Sequence, residues 1–302
     1  MLTVITACYN AVSRFGKNRV ARCIESVYSL PFEHEHLIMD GGSSDGSLEF
    51  ISNMDIPSLR LYSEEDHGIY EALNKGIAKS VGDFIYVLGL DDYVESPENM
   101  TLAYNFAIAG NYDVIISPVK LSNGAIVPVK RKDIFNIYYK MAFCHQGVLC
   151  RRVVLLNQKG YSTGYKIISD WLSSYKAIYA GNKVKYFGKN FSVYGLTGYS
   201  SSQIALAENE QLEHLMKIYP RAREDLVIHG IIPILDIFKL LLNKSLFARK
   251  CGLRALQNKI FLKVKSQEYK TYFILGLKVL TLRRLPCAPE HCTSWGEQAI
   301  DM

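Results

Sequence analysis

Nothing in this 302-residue chain approaches the roughly 18 consecutive apolar residues that a membrane-spanning helix requires. The best candidates, 231–242 and 272–282, are short and broken by Asp236, Lys239 and Lys278. The N-terminus lacks a basic flank before its first apolar run, so no secretory leader is expected. Seven cysteines (8, 23, 144, 150, 251, 287 and 292) are scattered without a CxxC pair, which excludes a zinc ribbon or dithiol redox motif. They read as reduced thiols of a cytosolic protein. The run 287–292 has no second pair to complete a metal clip. No GxGxxG follows the first apolar run, which argues against a dinucleotide-dependent dehydrogenase. No glycine-rich, Arg- and Lys-bearing phosphate loop stands there either, which argues against a nucleotidyltransferase. Internal repeats and low-complexity tracts are missing. Tryptophan is scarce, two against twenty tyrosines, a skew that suits polar clefts but decides little by itself.

The composition that remains, 49% apolar and 21% charged, is that of a globular protein with a sizeable core. Its net charge of +6 is unevenly spread. Residues 230–284 hold twelve Lys and Arg against Asp236 and Glu268, a local +10 that leaves −4 for the remainder. A basic tail on a slightly acidic body points to an anionic partner for the tail. Apolar and basic residues interleave there, as in Lys259–Lys265, and read as helices lying on an anionic membrane surface. The expected contact spans 226–284, each basic residue contributing about 1 kcal/mol. A helical bundle with a solvated basic face is the structural alternative. No nucleic-acid module accompanies the charge, so no nucleic-acid partner is expected.

Along the first 120 residues, short apolar runs alternate with helix-period segments. Leu2–Ala7, His36–Asp40, Leu59–Tyr62 and Phe84–Leu88 read as strands; Arg19–Leu30, Ser47–Met54 and Ile69–Lys79 read as helices. That repeat predicts βαβ units: an α/β fold with a mostly parallel sheet covered by helices on both faces. A hairpin over Val114–Leu121 and Gly124–Val129, a helix from Ser169 and a strand pair around Val184–Val193 follow. The expected division is a catalytic domain over 1–205 and a helical, basic C-terminal extension over 206–302.

Ligands of such sheets bind at the carboxyl ends of strands, and three acidic clusters fall there. The first is Asp40 in MDGGSSDG (39–46), where two glycines let the backbone turn and approach a ligand closely. Asp40 suits a nucleobase imide or a ribose hydroxyl, or else an Asx turn with a helix cap at Ser44 or Asp45. The second is the run Glu64-Glu65-Asp66, whose mutual repulsion calls for a cationic or hydrogen-bonding partner, or solvent; Asn74, Lys75 and Gly76 follow on a helix. The third is Asp91-Asp92 after FIYVL (84–88). Adjacent carboxylates at the mouth of a buried strand are costly unless paired or bound to a cation. Mg²⁺ or Mn²⁺, which takes one or two carboxylates plus phosphate oxygens, fits them; capping the helix after Ser96-Pro97 is the alternative.

Thr6-Ala-Cys-Tyr-Asn10, the 40–46 loop, Glu65 to Gly76 (EDHGIYEALNKG) and Gly82-Asp83 leading to Asp91-Asp92 together resemble glycosyltransferase family 2. The resemblance is to the bacterial enzymes of O-antigen, capsule and exopolysaccharide synthesis, in order and spacing, over roughly residues 1–200. It implies a GT-A fold, a nucleotide-sugar donor, a divalent Mn²⁺ or Mg²⁺ cofactor and a lipid-linked saccharide acceptor at the inner face of the cell membrane. Thr6, Tyr9, Asp40 and Asp66 would line the base pocket. Asn74, Lys75 and Gly76 would lie near the diphosphate, Asp91 at ribose or metal, and Asp92 on the metal. Gly89 and Leu90 stand where many relatives carry a polar residue, which leaves Asp91 and Asp92 as the only carboxylates there. Downstream, His145, Gln146 and Trp171 would face the acceptor, and Asp170 would be the catalytic base. From the residues alone, Ser169 or Asp170 is equally a helix N-cap, and His145 equally a core histidine or metal ligand.

Displacing a nucleoside diphosphate builds negative charge on the leaving oxygen, which a metal offsets. A carboxylate that takes the acceptor's proton contributes roughly 10²–10⁴ in rate. One carboxylate for each task gives a single displacement with inversion. A catalytically inactive carbohydrate-binding relative and a sugar nucleotidyltransferase remain the competing functions.

Overall fold

The first strand, β1 (Leu2–Cys8), is buried at every position except Ala7. A strand covered on both faces is mostly apolar, as this one is apart from Thr3 and Thr6. It pairs in parallel with β2 (His34–Asp40) on one side and β4 (Phe84–Val87) on the other, and β2 continues to β3 (Leu59–Ser63). In this computed structural model the described residues are 1–129, 134–220, Ile237, Leu241, Arg249, 252–257 and four strands between 261 and 299.

Even positions of β1 (Leu2, Val4, Cys8) share a cluster with Val20, Cys23, Ile24 and Val27 of α2 (Lys17–Tyr28). The i, i+3, i+4, i+7 spacing gives α2 one continuous apolar face. The short helices α1 (Ala11–Phe15) and α3 (Ser47–Ser52) precede and follow α2 along the chain, and the opposite face of the sheet takes α4 (Ile69–Lys79). There a side chain at Gly76 would put Cβ 2.5 Å from Ile5 Cγ2, so only glycine lets the helix lie this close. Each fully buried Leu, Ile or Val contributes about 1.5–3 kcal/mol, which makes this two-sided packing the main support of the first unit.

Beyond β4 the sheet incorporates β9 (Val148–Arg151), antiparallel to both neighbours, then β6 (Val114–Ile116) and β10 (Val184–Tyr186). The full order is β10-β6-β9-β4-β1-β2-β3, seven strands, mostly parallel. A second, four-stranded sheet joins β5 (Tyr93–Val94), β11 (Ser192–Tyr194), β7 (Val119–Leu121) and β8 (Ile126–Val127). The expected hairpin is therefore shorter than read. β7 and β8 pair, while β6 belongs to the main sheet, because Ser117 and Pro118 separate the two segments. The expected strand pair near 184–193 is also corrected, since β10 and β11 lie in different sheets. Helix α5 (Pro97–Ala109) is capped by Ser96 Oγ, which accepts from Asn99 N at 3.1 Å, with proline at its first turn. The acid pair is thus not its cap.

The chain divides into two compact units: 1–137 with 141–210, and 138–140 with 211–302. In the second unit, the C-terminal half of the Ile204–Ile218 helix is followed among described residues by a helical stretch at 252–257. An antiparallel sheet comes next, of β12 (Phe261–Lys265), β13 (Tyr269–Ile274), β14 (Leu277–Arg284) and β15 (Glu297–Ala299). The helical expectation fails at the described residues of this segment, which are strands. Lys263 and Lys265 alternate with Leu262 and Val264, a period of two that fits a strand as well as a basic helix. Much of 221–260, including most of the apolar run 231–242, lies outside the described residues. No described helix is long and apolar enough to cross a membrane.

Candidate active site

Register brings the carboxyl ends of three strands level, since Cys8, Asp40 and Ser63 are direct partners. Ser63 Oγ donates to Asp40 Oδ2 at 2.7 Å across that row. Asp40 Oδ2 also accepts from Gly42 N (3.2 Å) and Ser43 N (3.1 Å), and Oδ1 from Ser43 Oγ (2.5 Å). Burial raises its proton affinity, but these donors outweigh burial and hold the carboxyl below its usual range. Asp40 is thus a charged organiser of its own loop. Asp45, not Ser44, meets the next helix, accepting from Ser47 N at 3.0 Å while also tying down Ser13. Thr6 is fully buried, its Oγ1 2.9 Å from His36 Nε2, and burial pushes that histidine down to about 3. Alternation along β1 puts Thr6 on the face of Val4 and Cys8, which pack on α2. Tyr9, 64% exposed, is the residue of the first loop whose ring is available to a ligand.

The acidic run finds its compensating cation within the chain. Lys75 Nζ donates to Glu65 O at 2.7 Å and lies 3.3 Å from Glu71 and 3.8 Å from Glu64. Lys75 therefore has its charge engaged in the loop rather than held toward a diphosphate. Asn74 is likewise committed: its Nδ2 donates to Tyr161 O at 2.8 Å and its Oδ1 accepts from Tyr161 N at 2.7 Å. Gly76 is packed on Ile5 and Met39 under the helix. Asp66 differs from these three. Its carboxylate lies over Gly41, where a Cβ would come within 2.5 Å of Oδ2. Burial raises its proton affinity against a single backbone donor, Gly68 N at 2.9 Å.

The acid pair after β4 is divided in a way the sequence does not show. Asp92 is 1% exposed; its Oδ2 accepts from Gly89 N (3.1 Å) and its Oδ1 from Gly195 N (2.7 Å). Burial, then the neighbouring Asp91, push its carboxyl up to about 8. Asp91 is also buried and raised by burial, with Arg14 and Arg19 pulling it back. Its Oδ2 is buried with no hydrogen-bond partner. A Cβ at Gly195 would sit 2.5 Å from that oxygen, and one at Gly198 3.1 Å, so two glycines leave room around it. These residues fit a hard divalent cation: Asp91 offers an uncommitted oxygen, while Asp92 is turned onto backbone amides. Among the described residues no group of three or more His, Cys, Asp or Glu could hold an ion. A one- or two-carboxylate site completed by substrate phosphate is the arrangement Mg²⁺ and Mn²⁺ favour.

Asp170 lies in the first turn of the Ser169–Tyr179 helix, whose N-cap position is Ile168, so neither Ser169 nor Asp170 is the cap. Its Oδ1 accepts from Trp171 N at 2.7 Å and lies 3.5 Å from Tyr70 OH. Burial raises its proton affinity, with His145 opposing. His145 Nε2 is 3.3 Å from Tyr161 OH and its Nδ1 has no partner; burial lowers its proton affinity, with Asp170 opposing. The Cys144-His145-Gln146 segment links the two acid sites. Gln146 faces Asp92, His145 faces Asp170, and the Cys144 thiol, raised to about 11 chiefly by burial, feels both carboxylates. Trp171 is buried and donates from Nε1 to Ile137 O at 2.8 Å. Tyr70, Tyr161 and Glu210 were not singled out from sequence. Tyr70 sits inside the EDHGIYEALNKG motif and was legible there; Glu210 carries no local signal.

A mostly parallel sheet with carboxylates gathered beyond its strand ends is an α/β arrangement of the GT-A kind. Residues 3–191 match the sequence profile of Glycosyl transferase family 2, and the chain belongs to that family. A PGL/p-HBAD biosynthesis glycosyltransferase of Mycobacterium bovis is 28% identical over 151 residues, 46% of this chain and 56% of that protein. A cholesterol galactosyltransferase of Borreliella burgdorferi is 31% identical over 104 residues, covering 34% of this chain and 28% of that protein. The chain thus spans little more than half the length of the first of these curated relatives. Among solved structures, S. aureus TarS residues 1–349 with UDP-GlcNAc superposes at TM-score 0.62 and 17% identity, covering 84% of this chain and 71% of TarS. The mannosyltransferase PcManGT of Pyrobaculum calidifontis, with GDP-Man and Mn²⁺, gives 0.56 and 18%, covering 85% and 74%. At these identities the likeness establishes the fold.

Proposed function

We propose that this chain is an inverting glycosyltransferase. It moves a sugar from a UDP-linked donor to a hydroxyl of a lipid-linked saccharide during assembly of a surface polysaccharide. One observation carries this reading: two carboxylate sites of raised proton affinity, Asp91-Asp92 and Asp170, lie on either side of the Cys144–Gln146 segment. Asp91, with its uncommitted oxygen, faces the donor's diphosphate, and Asp170 faces the acceptor. A divalent cation held by Asp91 would offset the charge that grows on the leaving oxygen. Asp170 accepts the proton of the acceptor hydroxyl as that oxygen bonds to the anomeric carbon and the nucleoside diphosphate departs. Its raised proton affinity brings it nearer the working pH, which strengthens a general base. Tyr70, whose hydroxyl donates to Ile167 O, and His145 stand beside that carboxylate without neutralising it. An α-linked donor then yields a β-linkage.

Family membership and the donors in the TarS and PcManGT complexes support a nucleotide-sugar donor; the TarS complex favours UDP and the PcManGT complex supports Mn²⁺. The cholesterol galactosyltransferase relative favours an acceptor joined to lipid. The +10 segment over 230–284 supports attachment to an anionic surface on the cytoplasmic face of the membrane, presented at least partly by strands.

The test is turnover of UDP-sugars with Mn²⁺ by the whole chain and by Asp170→Asn. Loss of about 10²–10⁴ in rate with donor binding retained is expected; near-normal turnover removes Asp170 as base. For the membrane, vesicles containing anionic lipid should sediment the wild type. They should release a chain with Lys263, Lys265, Lys270, Arg283 and Arg284 changed to glutamine. Equal binding by both defeats that part.

A further inference from the structure

We infer that Glu210 is a positioning residue for Asp170, which rests on the proposed role of Asp170 as base. Glu210 belongs to the Ile204–Ile218 helix, beyond the 3–191 family match, and is 8% exposed. A buried carboxylate needs several donors, and Glu210 takes three from consecutive backbone amides. Its Oε1 accepts from Lys166 N at 2.7 Å, and its Oε2 from Ile167 N at 3.0 Å and Ile168 N at 3.3 Å. Successive amides converging on one anion form a nest, which is a specific backbone conformation. The nest ends two residues before Asp170.

The same segment is held from its other side. Tyr70 OH donates to the carbonyl of Ile167, whose amide Glu210 holds. Asn74 clamps both backbone groups of Tyr161 at the far end of this loop. Asp170 itself has little to fix it. Its one short contact is the amide of the following residue, the helix has no side-chain cap, and Tyr70 OH stands at the limit of hydrogen bonding. The place of the Asp170 carboxylate is therefore set by the path of residues 166–169, and Glu210 sets that path. A displacement of about 1 Å at a reacting group can cost about 10²-fold in rate.

The experiment uses Glu210→Gln in the full chain. One amide oxygen can keep part of the nest, but the NH₂ group must face a backbone N–H, so the loop shifts. A kcat reduced about 10-fold or more is expected, with donor KM and the donor-induced thermal shift within about twofold of wild type. The acid limb of the kcat profile should move as well, because Asp170's surroundings change. Glu210→Asp keeps the charge with a shorter reach and should fall between the two. In an Asp170→Asn background, Glu210→Gln should cost less than about twofold more, since no base remains to misplace. An unchanged kcat in Glu210→Gln, a full loss that multiplies in the Asp170→Asn background, or failure of both Glu210 variants to fold overturns the inference. Failure of the underlying reading looks different: Asp170→Asn would then retain full turnover by itself.

Discussion

Two groups of polar residues stand at the carboxyl ends of the sheet, and they spend their hydrogen bonds differently. Around the loop after β2 and the acidic run after β3, Asp40, Lys75 and Asn74 are met by partners within the chain: serine hydroxyls, backbone amides and a carbonyl. Around the loop after β4 and the helix at Ser169, Asp91 and His145 each keep a buried polar atom with no partner, and Asp170 keeps a raised proton affinity. A buried polar atom without a partner is costly unless something else meets it. The first region shapes the cleft; the second retains capacity for a ligand. A motif shows where a loop belongs, whereas satisfied or unsatisfied bonding shows which of its side chains remain free to act.

The sharpest way to break this contrast is to neutralise one carboxylate from each region. Asp91→Asn should reduce Mn²⁺-supported turnover by roughly 10²-fold, the scale of losing one preorganised electrostatic contact. Its ligand-free melting temperature should not fall. A manganese titration in which Asp92→Asn loses affinity and Asp91→Asn does not would reverse the roles assigned here. Asp40→Ala should behave oppositely. Several donors lose a partly buried acceptor, at about 1–3 kcal/mol each before water compensates, so roughly 2–4 kcal/mol of stability should go. Urea unfolding reads that loss. Intact stability with lost nucleotide affinity would move Asp40 to the ligand-bearing group.

The pH dependence sharpens the contrast further. Asp170 holds its proton to higher pH in the folded chain than in the unfolded one. Between those two pKa values the native state binds more protons, so stability declines as pH rises through that window. Asp170→Asn removes the decline. The variant should melt above wild type at pH 7 and lose that advantage once the pH falls below the ordinary carboxylate range. Wild-type turnover, by contrast, should diminish as pH drops through the raised pKa of the base. A variant that melts lower than wild type at pH 7 would show that Asp170 is structural. The smallest effect is expected at Lys75→Met. Its ion pairs are partly exposed, and such pairs contribute about 0–1 kcal/mol. Donor affinity should stay level; a tenfold weakening would return Lys75 to the diphosphate.

Most of the first unit was legible in the sequence. Ile69–Lys79 was read with its observed bounds and the helix from Ser169 at its observed start, and the first four strands within two residues. Each carries a strong period of its own, set by burial on one face or two. The weaker readings share one cause, that pairing is not local. β7 pairs with β8 while β6 joins the main sheet, and a two-residue break decides this. Basic and apolar alternation over 261–265 fits helix or strand until neighbouring strands supply the ladder. Within the candidate site, Asp40, the run to Asp66 and the pair Asp91-Asp92 stand out by their place after strands, whereas Asp170 stands out only through the family resemblance. That Trp171 is buried and tied to Ile137 O was not legible, because an aromatic beside an acid looks the same whether it faces a cleft or the core.

By itself, the sequence determined which segments of residues 1–88 become strands and helices, that acids follow those strands, and that glycines permit tight turns and close packing. Those properties depend on periodicity and on single residues, so neighbours along the chain suffice. Only the tertiary structure decided that Asp92 turns onto the amides of Gly89 and Gly195, that Asp91 keeps an oxygen uncommitted, and that Glu210 reaches back to residues 166–168. A carboxylate's role depends on which donors surround it. Those donors arrive from across the fold: Gly195 is 103 positions beyond Asp92.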